Sequence, residues 1–393
     1  MSKSIEKHKI SLHGIDIVVI SLALAEMVKS IPLISNIPNI DILLSFINFL
    51  NYILLLVVIF QKRYSGRLFL LFAFFAIIFA YGYLKSHMSA FLTAWLLLFA
   101  LKDMDLSRIL NDIHLSLGIT IIIAIIFGIF SLGDFRSQFN TGFHLGFGHK
   151  NTFGAFLFEY YLTGLLAHRG SGYQVWKCIV FGLFVLLFTK SKTAAASLLL
   201  LPIILVIFER GLYSKFRRLF VFIAELIAPI LLLFTYATAE LFPVNTIVQK
   251  MNVVLTNRIF LNWFILSKNK ITLFGQNVQL NYSGIYNEII NKWNINTTVD
   301  GTYIIMLLLL GLIPTIMFMI GYVAVVHRGG KRKDYLLITA AVLLANYALM
   351  ETRFTSIFFN FVFFYLTAKV ADVPRLEKKK NKVSLKIWHI EGI

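Results

Sequence analysis

A glycine-rich stretch, GFHLGFGHKNTFG from Gly142 to Gly154, sets His144, His149, Lys150 and Asn151 between two long apolar runs. Glycine lets backbone approach a ligand closely or take positive φ. Histidine beside lysine and asparagine offers hydrogen bonds and a proton to exchange, although a loop histidine is more often a plain hydrogen-bonding residue. Lys190 and Lys192 lie in TKSKT, ahead of another apolar run. If that run is a helix, its free N–H groups and dipole face the same spot, which outlines an anion site. The bland alternative is two lysines snorkelling at a helix end. Arg258 belongs to a segment, Ile247 to Ile265, whose Ile247, Met251, Val254, Leu261 and Ile265 share one helical stripe. At about 100° per residue Arg258 falls inside that stripe. A guanidinium so placed needs a partner. It suits a bidentate phosphate contact, or else a structural ion pair with Glu240 or Glu351.

The acid–base candidates are His144, His149, Glu288, Asp300 and Glu351. Glu159 lies about two turns into an apolar run from Asn151, at about 1.5 Å per residue. A carboxylate at membrane depth is functional by default, or one half of a buried pair. Arg136 either joins the cations or is simply solvated. Glu26 and Lys29, at i, i+3, read as a structural pair. No HExxH, cysteine pattern or GxxxxGK[ST] loop occurs, and the acidic residues do not cluster as a divalent cation requires. The expected chemistry therefore uses no metal and no cofactor, and acts on a substrate activated beforehand.

The elements that must hold these residues are membrane spans. The chain has 393 residues, 58% of them hydrophobic and 14% charged, with a mean hydropathy of +0.79. An average soluble domain carries about 25% charge. A span takes about 20 apolar residues, and about twelve runs qualify. They are 15–33, 42–60, 67–84, 89–101, 117–132, 152–167, 174–190, 193–208, 219–236, 302–326, 335–350 and 354–370. With the N-terminus inside, most of the 37 Lys and Arg fall on the inner side, as orientation requires. Both termini are then cytoplasmic, the start is a retained first helix, and 371–393 is a basic, lipid-touching tail. Segments 133–151 and 237–301 become external loops of one integral membrane domain, 1–393. Pro202, Pro229 and Pro314 are expected to kink spans. The +18 net charge fits anionic lipid better than nucleic acid. The single cysteine, Cys178, leaves no intrachain disulfide.

Four stretches together resemble the O-antigen polymerase and ligase superfamily, over roughly the second half of the chain. FGHKNTFG (Phe147 to Gly154) is similar to its G-H-P-N-x-x-G stretch, with Lys150 where proline is usual. TKSKTA (Thr189 to Ala194) is similar to T-x-S-R-T, with Lys192 in the arginine position. NRIFLNWFIL with LFG (Asn257 to Leu266, Leu273 to Gly275) resembles its arginine–tryptophan helix before a glycine turn. VDGTYIIMLLLLGLI (Val299 to Ile313) resembles the opening of a late span, with Asp300-Gly301 where ligases have histidine and Tyr303 just beyond.

The resemblance implies an all-α, polytopic fold of the C-type glycosyltransferase kind in a bacterial inner membrane. It implies inverting, metal-independent transfer from a polyprenyl-diphosphate-linked oligosaccharide at the outer face. Lys192 and Arg258 then hold the diphosphate, helped by Lys190 and Arg136, and Asp300 or His149 acts as base. Lys150, Asn151, Glu159, Glu351 and Tyr303 are further site candidates. The departure at Asp300-Gly301 leans towards polymerisation of exopolysaccharide, capsule or O-antigen repeats. Membrane lipid, a flippase and a chain-length regulator are the expected partners. A ligase is the alternative within the superfamily. A lipid-linked sugar flippase or transporter is the alternative from another class, with internal repeats and a midplane site as its marks.

Overall fold

The computed structural model describes residues 14–130, 142–168, 177–209, 212–287, 292–298 and 301–370. Their architecture is helical. In chain order the helices are α1 (Gly14–Met27), α2 (Ile40–Gln61), α3 (Gly66–Ser86), α4 (Ala90–Ala100), α5 (Leu106–Phe130), α6 (Lys150–Ala167), α7 (Lys177–Thr189), α8 (Lys192–Glu209) and α9 (Leu212–Leu241). Then follow α10 (Thr246–Val254), α11 (Arg258–Lys268), α12 (Thr302–Ile305), α13 (Leu312–Arg332) and α14 (Tyr335–Tyr347). Side-chain caps fix several starts. Ser65 accepts from Leu68 N at 3.3 Å, Asn245 from Ile247 N at 2.9 Å and Asp334 from Leu337 N at 3.1 Å. Each satisfies a donor that a helix start leaves free.

Five helices are long and apolar enough to cross a membrane: Ile40–Gln61, Gly66–Ser86, Leu106–Phe130, Phe216–Leu241 and Leu312–Arg332. Four shorter apolar helices accompany them, at Ala90–Ala100, Lys177–Thr189, Lys192–Ile207 and Tyr335–Tyr347. The chain is thus a membrane protein by helix length and composition. Apolar side chains such as Leu70 and Ile77, each 70% exposed, turn outward where hydrocarbon would cover them. The least amphipathic helix is α6, and it is central: α5, α7, α8 and α14 all pack on it. A helix buried on every side shows no polar face to read.

Several expected spans take other forms. Run 15–33 stops as a helix at Met27 and turns through Pro32. Within it, Lys29 makes an ion pair with Asp41 at 3.5 Å, while Glu26 is hydrogen-bonded to Ser356 and also feels the Lys29 charge; the expected Glu26–Lys29 pair is an electrostatic contact shared with these longer-range partners. Run 302–326 is broken. After α12 the backbone makes a π-turn over Met306–Leu310 and restarts as α13 past Gly311. Irregular backbone from 272–276 fills the break: Leu312 N donates to Thr272 O at 2.9 Å, Ile313 N to Leu273 O at 3.1 Å and Gln276 N to Leu308 O at 3.1 Å. Pro314 consequently sits in the first turn of α13, where a missing N–H is harmless. Pro202 and Pro229 do lie inside helices.

Run 354–370 is not an α-helix. It folds as 3-10 turns, Arg353–Thr355 and Phe361–Leu366, with turns between. Such backbone survives at membrane depth only when buried in protein, and Phe354, Phe358, Phe361 and Phe364 are all fully buried. The described residues of segment 237–301 are also structured. They carry the end of α9, then α10 and α11, then an antiparallel hairpin of β1 (Asn281–Asn287) and β2 (Lys292–Thr298). Among the described residues these two paired strands are the exception to the expected all-α fold.

One end of the bundle is basic. There Arg108, at the start of α5, donates through Nε to Asp16 Oδ1 at 2.9 Å and through a terminal nitrogen to Oδ2. Asp16 is 2% exposed. Removing one partner of a buried pair strands the other charge. Asp16→Ala is therefore expected to cost about 3 kcal/mol, read as a lowered thermal midpoint of the purified protein in detergent. Lys62 closes the same end, donating to the carbonyls of Ala100 and Lys102, both at 2.6 Å. Burial pushes its ammonium below the usual lysine range.

Candidate functional site

The opposite end gathers the starts of α6, α8, α11 and α12 around one turn, 350–353, which follows α14. Arg353 donates to Thr152 Oγ1 at 3.0 Å, and its guanidinium lies 5.8 Å from the centre of the Phe156 ring. Arg258 donates through one terminal nitrogen to Thr256 Oγ1 at 2.5 Å and through the other to Met350 O at 3.4 Å. The Thr302 hydroxyl donates to the Glu351 carbonyl, and Thr302 N to Ala348 O at 2.9 Å. Two arginines distant in sequence therefore converge on one turn with Glu351 between them. Both are half-buried, and the hydrogen bonds to Thr152, Thr256 and Met350 fix where the two guanidiniums lie.

Arg258 reaches this place by a different route from the expected one. Segment 247–265 is not one helix. Thr256 and Asn257 take positive φ, 54° and 66°, and end α10. Asn252 Oδ1 then accepts from Phe260 N at 2.9 Å and helps start α11. Arg258 is the first residue of a new helix, not the middle of a stripe. Ile247 and Val254, which the stripe would have turned inward, are exposed, while Ile265 is buried.

His149 caps α6. Its Nδ1 accepts from Asn151 N at 3.3 Å, so in this geometry the neutral ring carries its proton on Nε2. The ring is better placed to donate than to serve as base. Lys150 and Asn151 form the first turn of α6. Glycine is required around them: Gly142 has φ 100°, and a Cβ there would lie 2.2 Å from Thr189 O. The 142–149 loop thereby seats on the turn that carries Lys190 and Lys192, both exposed, with Lys192 opening α8.

Beneath the turn lies a buried polar group. Glu159 is fully buried, and among the described residues neither carboxylate oxygen has a hydrogen-bond partner. The Ser191 and Tyr347 hydroxyls, also fully buried, lie within electrostatic reach of each other without completing a hydrogen bond of ordinary geometry. Glu159, Glu351 and Arg353 all act on the Tyr347 hydroxyl. Gly154 makes room for this group, because a Cβ there would lie 2.5 Å from Ser191 Oγ. Tyr303 belongs to the scaffold: its hydroxyl donates to Ala345 O at 2.8 Å, and the side chain is 1% exposed. Asp300, Arg136 and Glu288 lie outside the described residues.

Thr152 and Ser191 stand inside two of the stretches quoted from the sequence, FGHKNTFG and TKSKTA, whereas Arg353 and Tyr347 stand in none. The signal at Arg353 is a cation two residues past Glu351. The four stretches quoted from the sequence meet here. Thr152 touches Arg353, Gly154 touches Ser191, Arg258 touches Met350, Thr302 touches Glu351, and Gly301 lies against Asn262. Among the described residues no three His, Cys, Asp or Glu side chains converge as metal ligands do. No family model, no curated protein and no solved structure matches the chain.

Proposed function

We propose that the chain is a polymerase of polyprenyl-diphosphate-linked oligosaccharide repeats, working at the outer face of a bacterial inner membrane. About twelve membrane passes, several of them short or irregular, leave both termini cytoplasmic and 237–301 outside. The observation that carries the reading is the convergence of Arg258, Arg353 and Glu351 at the end of the bundle away from the basic one. The stretches that resemble the polymerase superfamily supply most of the surrounding residues.

In this reading the diphosphate of the donor sits against Arg258 and Arg353, with Lys190 and Lys192 nearby at the start of α8. A carboxylate, Glu351 or Asp300, takes the proton of an acceptor sugar hydroxyl. The oxygen forms its bond to the anomeric carbon from the face opposite the leaving group. The bond from that carbon to the diphosphate oxygen breaks, and polyprenyl diphosphate leaves with the electron pair. Charge grows on the diphosphate as the bond breaks, and fixed cations stabilise it most at that moment. The resemblance implies that this transfer runs without a metal, with the cationic side chains stabilising the leaving diphosphate.

A transporter would use a broken helix at the midplane to expose backbone to its cargo. The break at Gly311 is instead closed by the carbonyls of Thr272 and Leu273, which favours transfer over transport. Glu351→Gln, Asp300→Asn and His149→Ala separate the roles in purified enzyme given lipid-linked repeat. Loss of the base is expected to lower turnover by about 10²–10⁴, whereas His149→Ala lowers it less. EDTA is expected to leave the rate unchanged; a strict divalent-cation requirement would overturn this chemistry.

A further inference from the structure

The basic end of the bundle holds a second charged hollow, of about 650 Å³. Its floor is the chain at 366–370, clamped to the turn after α4. Asp103 N donates to Thr367 O at 3.0 Å, Lys369 N to Met104 O at 2.7 Å and Leu106 N to Lys369 O at 2.9 Å. One wall is the last turns of α13. Arg328 donates to the carbonyls of Tyr365 and Leu366 at 2.6 and 2.8 Å, and Arg332 to Val370 O at 3.2 Å.

Among the described residues, Lys102, Arg328, Arg332 and Lys369 line this hollow against one carboxylate, Asp103, and Asp103 is already paired with Lys102. The guanidinium bonds go to neutral carbonyls, which fix the side chains without offsetting their charge. The hollow therefore keeps an excess of positive charge that an anion would relieve. Arginine presents its remaining donors in a plane that matches phosphate oxygens. The Thr367 hydroxyl is buried in the lining and has no hydrogen-bond partner. The rest of the lining is apolar, with Leu68, Leu98 and Phe99 from α3 and α4. It is continuous with α3, whose outer face is exposed hydrocarbon. A cation-rich recess opening beside an apolar helix fits a ligand with a phosphate head and a hydrocarbon tail.

We propose that this hollow binds the headgroup of an anionic phospholipid of the inner leaflet, its phosphate on Lys102, Arg328 and Arg332 and its acyl chains along α3 and α4. The site lies at the opposite end from the proposed transfer site and does not depend on it. Each cation near an anionic lipid contributes about 1 kcal/mol, or roughly fivefold in affinity.

The test titrates the purified full-length protein in detergent with phosphatidylglycerol, phosphatidylcholine or inorganic phosphate, reading the thermal midpoint and the apparent Kd. Phosphatidylglycerol is expected to raise the midpoint and the other two to leave it unchanged. Lys102→Gln with Arg332→Gln is expected to weaken phosphatidylglycerol by roughly thirtyfold. Lys369→Gln, whose backbone alone makes the clamp, gives a milder second variant, expected at about fivefold. Lys331→Gln with Lys333→Gln, two cations outside the hollow, is expected to change little. Equal stabilisation by phosphatidylcholine, equal stabilisation by inorganic phosphate, or an equal loss in the 331/333 variant would each overturn the proposal.

Discussion

Arg258→Ala is expected to abolish long polymer while the protein still accumulates in the membrane. Truncation removes a cation that acts as the diphosphate leaves, and loss of one such donor lowers turnover by about 10²–10³. Arg258 donates to Thr256 and, across 92 residues, to Met350 O at 3.4 Å, so the immunoblot level of the variant is read beside its polymer. Arg353→Ala is expected to match it, with some added loss of stability because Arg353 also holds Thr152 and covers Phe156. Lysine at either position should restore only part of the activity, since it supplies charge without the planar fork. The measurement is the length distribution of polysaccharide on a gel, set against protein level by immunoblot. Normal long chains from either alanine variant at normal expression would remove the assigned role.

Gly311→Ala is expected to produce the largest loss of stability in the chain. Gly311 has φ 89° and ψ 173°, a region that side chains do not enter. A Cβ there would also lie 2.2 Å from Gly275 N, and one at Gly275 would lie 2.0 Å from Leu309 O. Either alanine must push apart segment 272–276 and the broken helix, which exchange the hydrogen bonds that close the break. Strained backbone and lost bonds together set the cost at about 4 kcal/mol or more. Gly66→Ala is the control, since a Cβ there meets nothing within 4 Å, and an exposed glycine at a helix start should change stability by less than about 1 kcal/mol. Thermal unfolding of the purified variants in detergent reads both. An alanine at Gly311 that melts like wild type would contradict the close approach.

What the sequence made legible was the separation of charge. The orientation rule puts Lys102, Arg328, Arg332 and Lys369 in inner segments and Arg258, Lys190, Lys192 and Lys150 in outer ones. The structure brings the first four to one hollow and seats the 142–149 loop, which leads into Lys150, on the turn of Lys190 and Lys192. The shapes of the late elements were not legible. Hydropathy reports burial in an apolar medium and does not tell a helix from irregular backbone wrapped in protein. The phenylalanine-rich run 354–366 is buried on all sides and so reads like a span. The stripe around Arg258 failed for a local reason: Thr256 and Asn257 turn left-handed, and no residue type there demands it. Arg353 had no motif around it, and only the folding of the 350–353 turn against α6 brings it to Arg258. The helix break at Gly311 needs a partner from 272–276, a contact between distant residues that no local pattern encodes.

The most direct test follows the carrier lipid itself. Purified full-length protein in proteoliposomes, supplied with polyprenyl-diphosphate-linked repeats, should release about one polyprenyl diphosphate per new linkage and lengthen the glycan with inverted anomeric configuration, and both should stop together in Arg258→Ala. Repeats that cross the bilayer intact, with no carrier released and no linkage formed, would contradict the account and make the chain a transporter.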